Sequence, residues 1–89
     1  MTASLDPRRK RLLLRSLHRG TKETDLMLGG FAEHHLAAMD DGQLDRFERL
    51  LEAPDTDLFD WITGRLPAPA PYNDDVMDLL IAFTARHRP

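Results

Sequence analysis

Eighty-nine residues are enough for one hydrophobic core and too few for two, so this chain makes a single domain over residues 1–89. Cysteine is absent, which excludes disulfides, thiol catalysis and thiolate-bound metals, and no apolar run approaches the roughly 18 residues that span a bilayer. The net charge of −3 hides an imbalance: residues 1–22 carry +6 and residues 23–89 carry −9, a dipolar arrangement suited to orienting on a partner of complementary potential.

The spacing predicts helix after helix, with no strand-like alternation. Asp6 and Pro7 open the first helix as a capping carboxylate and a first-turn proline, Leu13, Leu14 and Leu17 form its apolar stripe, and Gly20 ends it. A second helix runs from Thr21 or Lys22 to Met39, with Glu23 and Asp25 in its first turn and Leu26, Leu28, Phe31, His35, Leu36 and Met39 at near-helical spacing. Gly29-Gly30 predicts a bend or a tight crossing within it. Asp40 with Gln43 is a variant capping box before Leu44, Phe47, Leu50 and Leu51, and Pro54 follows the end of that third helix. Asp55 or Thr56 caps a short fourth helix bearing Leu58, Phe59, Trp61 and Ile62, closed by Gly64. Three prolines between Arg65 and Pro71 predict a stiff, extended connector over residues 65–72. Asn73 then caps a last helix with Val76, Leu79, Leu80 and Phe83 on one face. The fold class is all-α, a compact five-helix bundle.

Chemistry-bearing clusters are sparse. Asp40-Asp41 and Asp74-Asp75 stand at helix starts, where capping explains them, and there is no catalytic triad order, phosphate loop or nucleotide fingerprint. Adjacent His34 and His35 point to different faces of a helix, so no metal site is expected. The run Arg8-Arg9-Lys10-Arg11 is either a solvated face or a charged rim for a protein partner; nucleic acid is disfavoured by the acidic remainder and by the lack of interleaved aromatics. Arg19, Gly20 and Glu23 stand out most. They place a glycine and one charge of each sign where two helices meet, which is a helix-ending glycine with an incidental ion pair or else a docking surface.

The ordered blocks Arg19-Gly20-x-x-Glu23-x-Asp25, Phe31-x-Glu33-His34, Leu50-Leu51-Glu52 and Asp57-Leu58-Phe59-x-Trp61 resemble the SdhE/Sdh5 family of small assembly factors for flavinylation of succinate dehydrogenase and fumarate reductase. The resemblance runs from about Leu12 to Gly64. It implies a five-helix domain without catalytic activity that binds the flavoprotein subunit of succinate dehydrogenase, with fumarate reductase as a further client, and promotes covalent FAD attachment there. On this reading FAD belongs to the client and no cofactor or metal is held stably by this chain. Arg19, Gly20 and Glu23 form the contact centre, Lys22 and Asp25 lie beside it, and Arg15 and Arg11 belong to a basic steering rim. The protein is expected to be a monomer in the bacterial cytoplasm, since the helical pattern starts too early for a mitochondrial presequence, with no insertion into membrane. The rival is a small nucleic-acid-binding or antitoxin-like module acting through the first helix.

Overall fold

Asp6 accepts a hydrogen bond from the Arg9 amide at 2.9 Å and Pro7 follows it, so α1 (Pro7–Leu17) begins where its capping pair puts it. The computed structural model, which describes residues 5–87, continues with α2 (Lys22–His35), α3 (Asp41–Leu51), α4 (Asp55–Ile62) and α5 (Asp75–Arg86). These are the five expected helices, and no strand occurs among the described residues.

Several boundaries and faces differ from expectation, each for a physical reason. α1 stops at Leu17 rather than at Gly20, and its buried positions are Leu12 and Ser16, one turn apart; Leu14 is turned outward. α2 ends at His35, four residues early, and a 3₁₀ turn (Leu36–Ala38) follows. Arg9 of α1 braces that ending: its Nε donates to the Leu36 carbonyl at 2.8 Å, beside the Met39 amide that closes the 3₁₀ turn on the same oxygen, and its Nη2 donates to the Met39 carbonyl. The Asp40–Gln43 capping box of α3 has both halves, at 2.8 and 3.1 Å. α4 takes Pro54, not Asp55 or Thr56, at its cap, because the Asp55 carboxylate is engaged elsewhere. α5 is capped by Asp74, which accepts from the Met77 amide, one residue after the expected Asn73. Its buried face is Val76, Met77, Leu80, Phe83 and Thr84; Leu79 falls outside that stripe and is exposed. The 65–72 connector is not extended throughout, since Ala70–Tyr72 forms a 3₁₀ turn that stacks Tyr72 on Trp61 with centroids 5.0 Å apart.

α1 lies mainly on α2 and also meets α3, while α5 packs against α2, α3 and α4. Phe31 stands at the centre, 5.6 Å from the Phe47 ring and edge-on to Phe83 at 6.0 Å. The glycine pair of α2 makes a tight crossing rather than a bend. A Cβ on Gly29 would stand 2.4 Å from Leu17 Cδ2, so the missing side chain is what lets α1 approach. Gly30 faces the other way, toward Phe83 of α5.

Thr84 introduces a polar atom that this core does not satisfy. Its hydroxyl is buried without a hydrogen-bond partner among the described residues, and a stranded group of that kind costs about 1–3 kcal/mol. Thr84→Val keeps the shape and removes the hydroxyl, so unfolding should cost roughly 1 kcal/mol more, read as a higher denaturant midpoint at unchanged m-value. A lower midpoint would mean that the hydroxyl is bonded in solution.

Candidate functional site

The α1–α2 corner is built from its own backbone outward. Gly20 has φ +121°, a conformation that strains any residue with a Cβ. Asp25, in the first turn of α2, accepts the Arg19 amide at 2.7 Å, and its own amide donates to the Thr21 carbonyl at 3.0 Å. The Thr21 and Thr24 hydroxyls pair with each other, with Thr24 buried beneath. This short loop is therefore fixed by bonds on both sides of Gly20, and Asp25 serves as its brace.

Arg19 is not offered outward as the sequence reading expected. Its guanidinium, 11% exposed, turns across to the α3–α4 turn. There Nε donates to Asp55 Oδ1 at 2.7 Å, Nη1 to the Leu51 carbonyl at 2.5 Å and Nη2 to the Ala53 carbonyl at 2.7 Å. The fork fits its surroundings electrostatically, because it meets carbonyls at the negative end of α3 and a carboxylate in the first turn of α4. Arg19 thereby ties one helical corner to another. What the corner presents to solvent is Gly20, Thr21, Lys22 and Glu23, and the Glu23 carboxylate has no ion pair or hydrogen bond among the described residues.

The basic run of α1 is likewise partly consumed. Arg8 reaches Asp45 at 2.6 Å and Glu48 at 3.1 Å on α3, which holds its guanidinium above the ordinary arginine range. Arg9 is spent on the end of α2. Arg15 stands 3.9 Å from Glu48 and remains exposed, while Lys10 and Arg11 are exposed without partners among the described residues. With two of four consecutive cations turned to internal contacts, the helix lacks the continuous basic face that a nucleic-acid interface needs.

Two grooves flank Glu23. One, of about 520 Å³, lies against α4 and is bordered by Thr21, Thr24, Asp55, Phe59, Asp60 and Arg65. The other, of about 420 Å³, runs between α2 and α5, with Leu26, Met27, Gly30 and Phe83 along it and His34 and His87 at its end. The sequence places Leu26 at near-helical spacing with Leu28, Phe31 and Leu36, yet it is 68% exposed beside this groove while those three are buried. The α5 contributions were illegible because they come from the segment after residue 65, where no motif pointed. Two of the imidazoles are held by carbonyls: His34 Nδ1 meets the Gly30 oxygen and His87 Nδ1 the Phe83 oxygen, both at 2.8 Å. His35 stacks on Phe31 at 4.6 Å, and its burial pushes its pKa down, helped by His34 and Arg86 nearby. No group of three or more metal-ligating side chains occurs among the described residues. Among them, too, no helix is long and apolar enough to cross a membrane.

Comparison with known proteins adds a separate line of observation. Residues 10–84 match the family model Sdh5, described as flavinator of succinate dehydrogenase. A protein of Acetobacter pasteurianus named FAD assembly factor SdhE is 48% identical over 66 residues, which are 74% of this chain and 61% of that protein. The succinate dehydrogenase assembly factor 2, mitochondrial, of Danio rerio is 41% identical over 83 residues, 91% of this chain and 52% of the relative. A relative of the same name in Mycosarcoma maydis is 50% identical over 60 residues, 67% of this chain and 25% of the relative. The chain thus spans less than two thirds of the length of each of these relatives.

Proposed function

We propose, from the premise that this chain belongs to the Sdh5 family, flavinator of succinate dehydrogenase, that it is an assembly factor for that enzyme's flavoprotein. It binds the flavoprotein subunit of succinate dehydrogenase, and that of fumarate reductase as a further client, and promotes covalent attachment of FAD to a client histidine. It has no catalytic activity of its own. The bond-forming chemistry belongs to the flavin and the client; the factor binds best to the client conformation in which histidine and the isoalloxazine methyl are aligned, and so shifts the population toward it. FAD stays with the client. We place the activity in a bacterial cytoplasm, in line with the bacterial relative.

The observation that carries this reading is an exposed, unpaired Glu23 held on a bonded glycine corner in a chain that matches the family from residue 10 to residue 84. Gly20, Lys22 and Glu23 make the contact, while Arg19 and Asp25 position it from within. Arg11 and Arg15 steer approach as rim charges. Mixed with the purified flavoprotein subunit, the parent chain should co-elute in gel filtration and Glu23→Lys should elute apart from it. Equal co-elution of both would take the corner out of the interface.

A further inference from the structure

The groove between α2 and α5 is built for occupation, and the corner does not account for it. Its floor exists because Gly30 has no side chain: a Cβ there would lie 3.2 Å from Phe83 Cζ, so any larger residue closes the space above the ring. Its lip is Leu26, 68% exposed, one helical turn after Glu23 on the same helix, with Met27 beside it. The middle of the groove offers mostly apolar surface from Leu26, Met27, Gly30 and Phe83; the imidazoles of His34 and His87 stand at one end and the unpaired Glu23 carboxylate at its mouth. On the far side of that carboxylate, the α4 groove holds Asp55 and Asp60, but Asp55 is paired with Arg19 and Asp60 stands 3.7 Å from Arg65, so Glu23 is the carboxylate of this ridge left without a cation among the described residues.

We infer that the α2–α5 groove receives a segment of the client flavoprotein in which a lysine or arginine stands beside one or two large apolar side chains. The apolar groups lie over Gly30 and Phe83 against Leu26 and Met27, and the cation pairs with Glu23. Three features select this occupant. Glu23 is a charge awaiting its complement, since its neighbours Asp55 and Asp60 already have Arg19 and Arg65, and an unpaired carboxylate favours a cation beside it. The apolar lip is continuous with the Gly20–Glu23 corner, so one docking event covers both. A large apolar side chain in a desolvated pocket next to a charged contact is also the arrangement that concentrates binding energy at an interface. This inference rests on the client reading above and extends it from a corner to a bipartite surface.

The test is isothermal titration of the purified flavoprotein subunit with the parent, Leu26→Asp, Leu26→Met and Glu23→Gln. Leu26 is exposed, so both of its variants should keep the parent's circular dichroism and melting temperature. Leu26→Asp should weaken binding by about tenfold or more and Leu26→Met should bind like the parent. Glu23→Gln should weaken binding and flatten its dependence on salt between low and high ionic strength. If Leu26→Asp binds as tightly as the parent while Glu23→Gln does not, the groove lies outside the interface and the client reading survives. A Glu23→Gln affinity equal to the parent's, with the same salt dependence, overturns the cation at the groove mouth. Self-association of the parent that Leu26→Asp abolishes would assign the groove to a second copy and overturn the inference. No binding by the parent at all would remove the client reading, and this inference with it.

Discussion

Arg19→Ala is expected to destabilise the domain by about 2–4 kcal/mol, before any client is present. The guanidinium and its partner Asp55 are only 11% and 19% exposed, so solvent replaces little of what the mutation removes. Three hydrogen bonds disappear at once, to Asp55, Leu51 and Ala53. They leave a carboxylate without its counterion and two carbonyls at the end of α3 without donors, and charge-assisted bonds of this kind are worth about 1.5–3 kcal/mol each before relaxation. In a domain of this size that loss should lower the melting temperature by roughly 10–20 °C. Arg19→Lys should fall between the two, because an ammonium keeps the charge but cannot fork to three acceptors. A melting curve for Arg19→Ala within about 2 °C of the parent would contradict this assignment. The consequence for function is practical: client binding lost in Arg19 or Gly20 variants reports on the corner's scaffold, and only Lys22 and Glu23 report on its outer surface.

Trp61→Ala should cost about 3–5 kcal/mol, the range for deleting a buried aromatic. Trp61 is 8% exposed within the main core cluster and carries Tyr72 stacked on its outer face. Its loss therefore opens a cavity in α4 and also releases the anchor of the proline-rich connector, which leads into α5. Trp61→Phe should recover a large part of the loss, since an aromatic face remains for Tyr72. As the chain's single tryptophan, Trp61 also reports on the parent: Tyr72→Ala should change its emission with little loss of helix. Trp61→Ala melting like the parent would remove this residue from the core.

Helix starts were legible because their bonds are local. Asp6 with the Arg9 amide and Asp40 with Gln43 close over three residues, and both hold as read. The start of α5 shifted by one because Asn73 and Asp74 are both good caps, and the 3₁₀ turn at Ala70–Tyr72 takes Asn73 as its end. Faces were less legible. Leu14, Leu26 and Leu79 are apolar yet exposed, because burial follows what a neighbouring helix covers and not residue type alone. The least legible contact is the one that matters most for the corner. Arg19 finds its acceptors 32 to 36 residues away, and no local pattern distinguishes an arginine awaiting a partner from one already satisfied across the fold. The motif itself was visible in sequence; its division into a clamped arginine and an exposed, unpaired glutamate was not.

Glu23 carries the central claim, since it is exposed, unpaired and away from the Arg19 clamp, and its variants should leave the fold intact. The decisive measurement is in-gel flavin fluorescence of the succinate dehydrogenase flavoprotein in cells lacking this gene, complemented with the parent or with Glu23→Lys at equal expression. Restoration of the covalent flavin band by the parent, with little or none from Glu23→Lys, is the predicted result. A band of parental intensity from Glu23→Lys, or a full band with no complementing gene at all, would contradict the account.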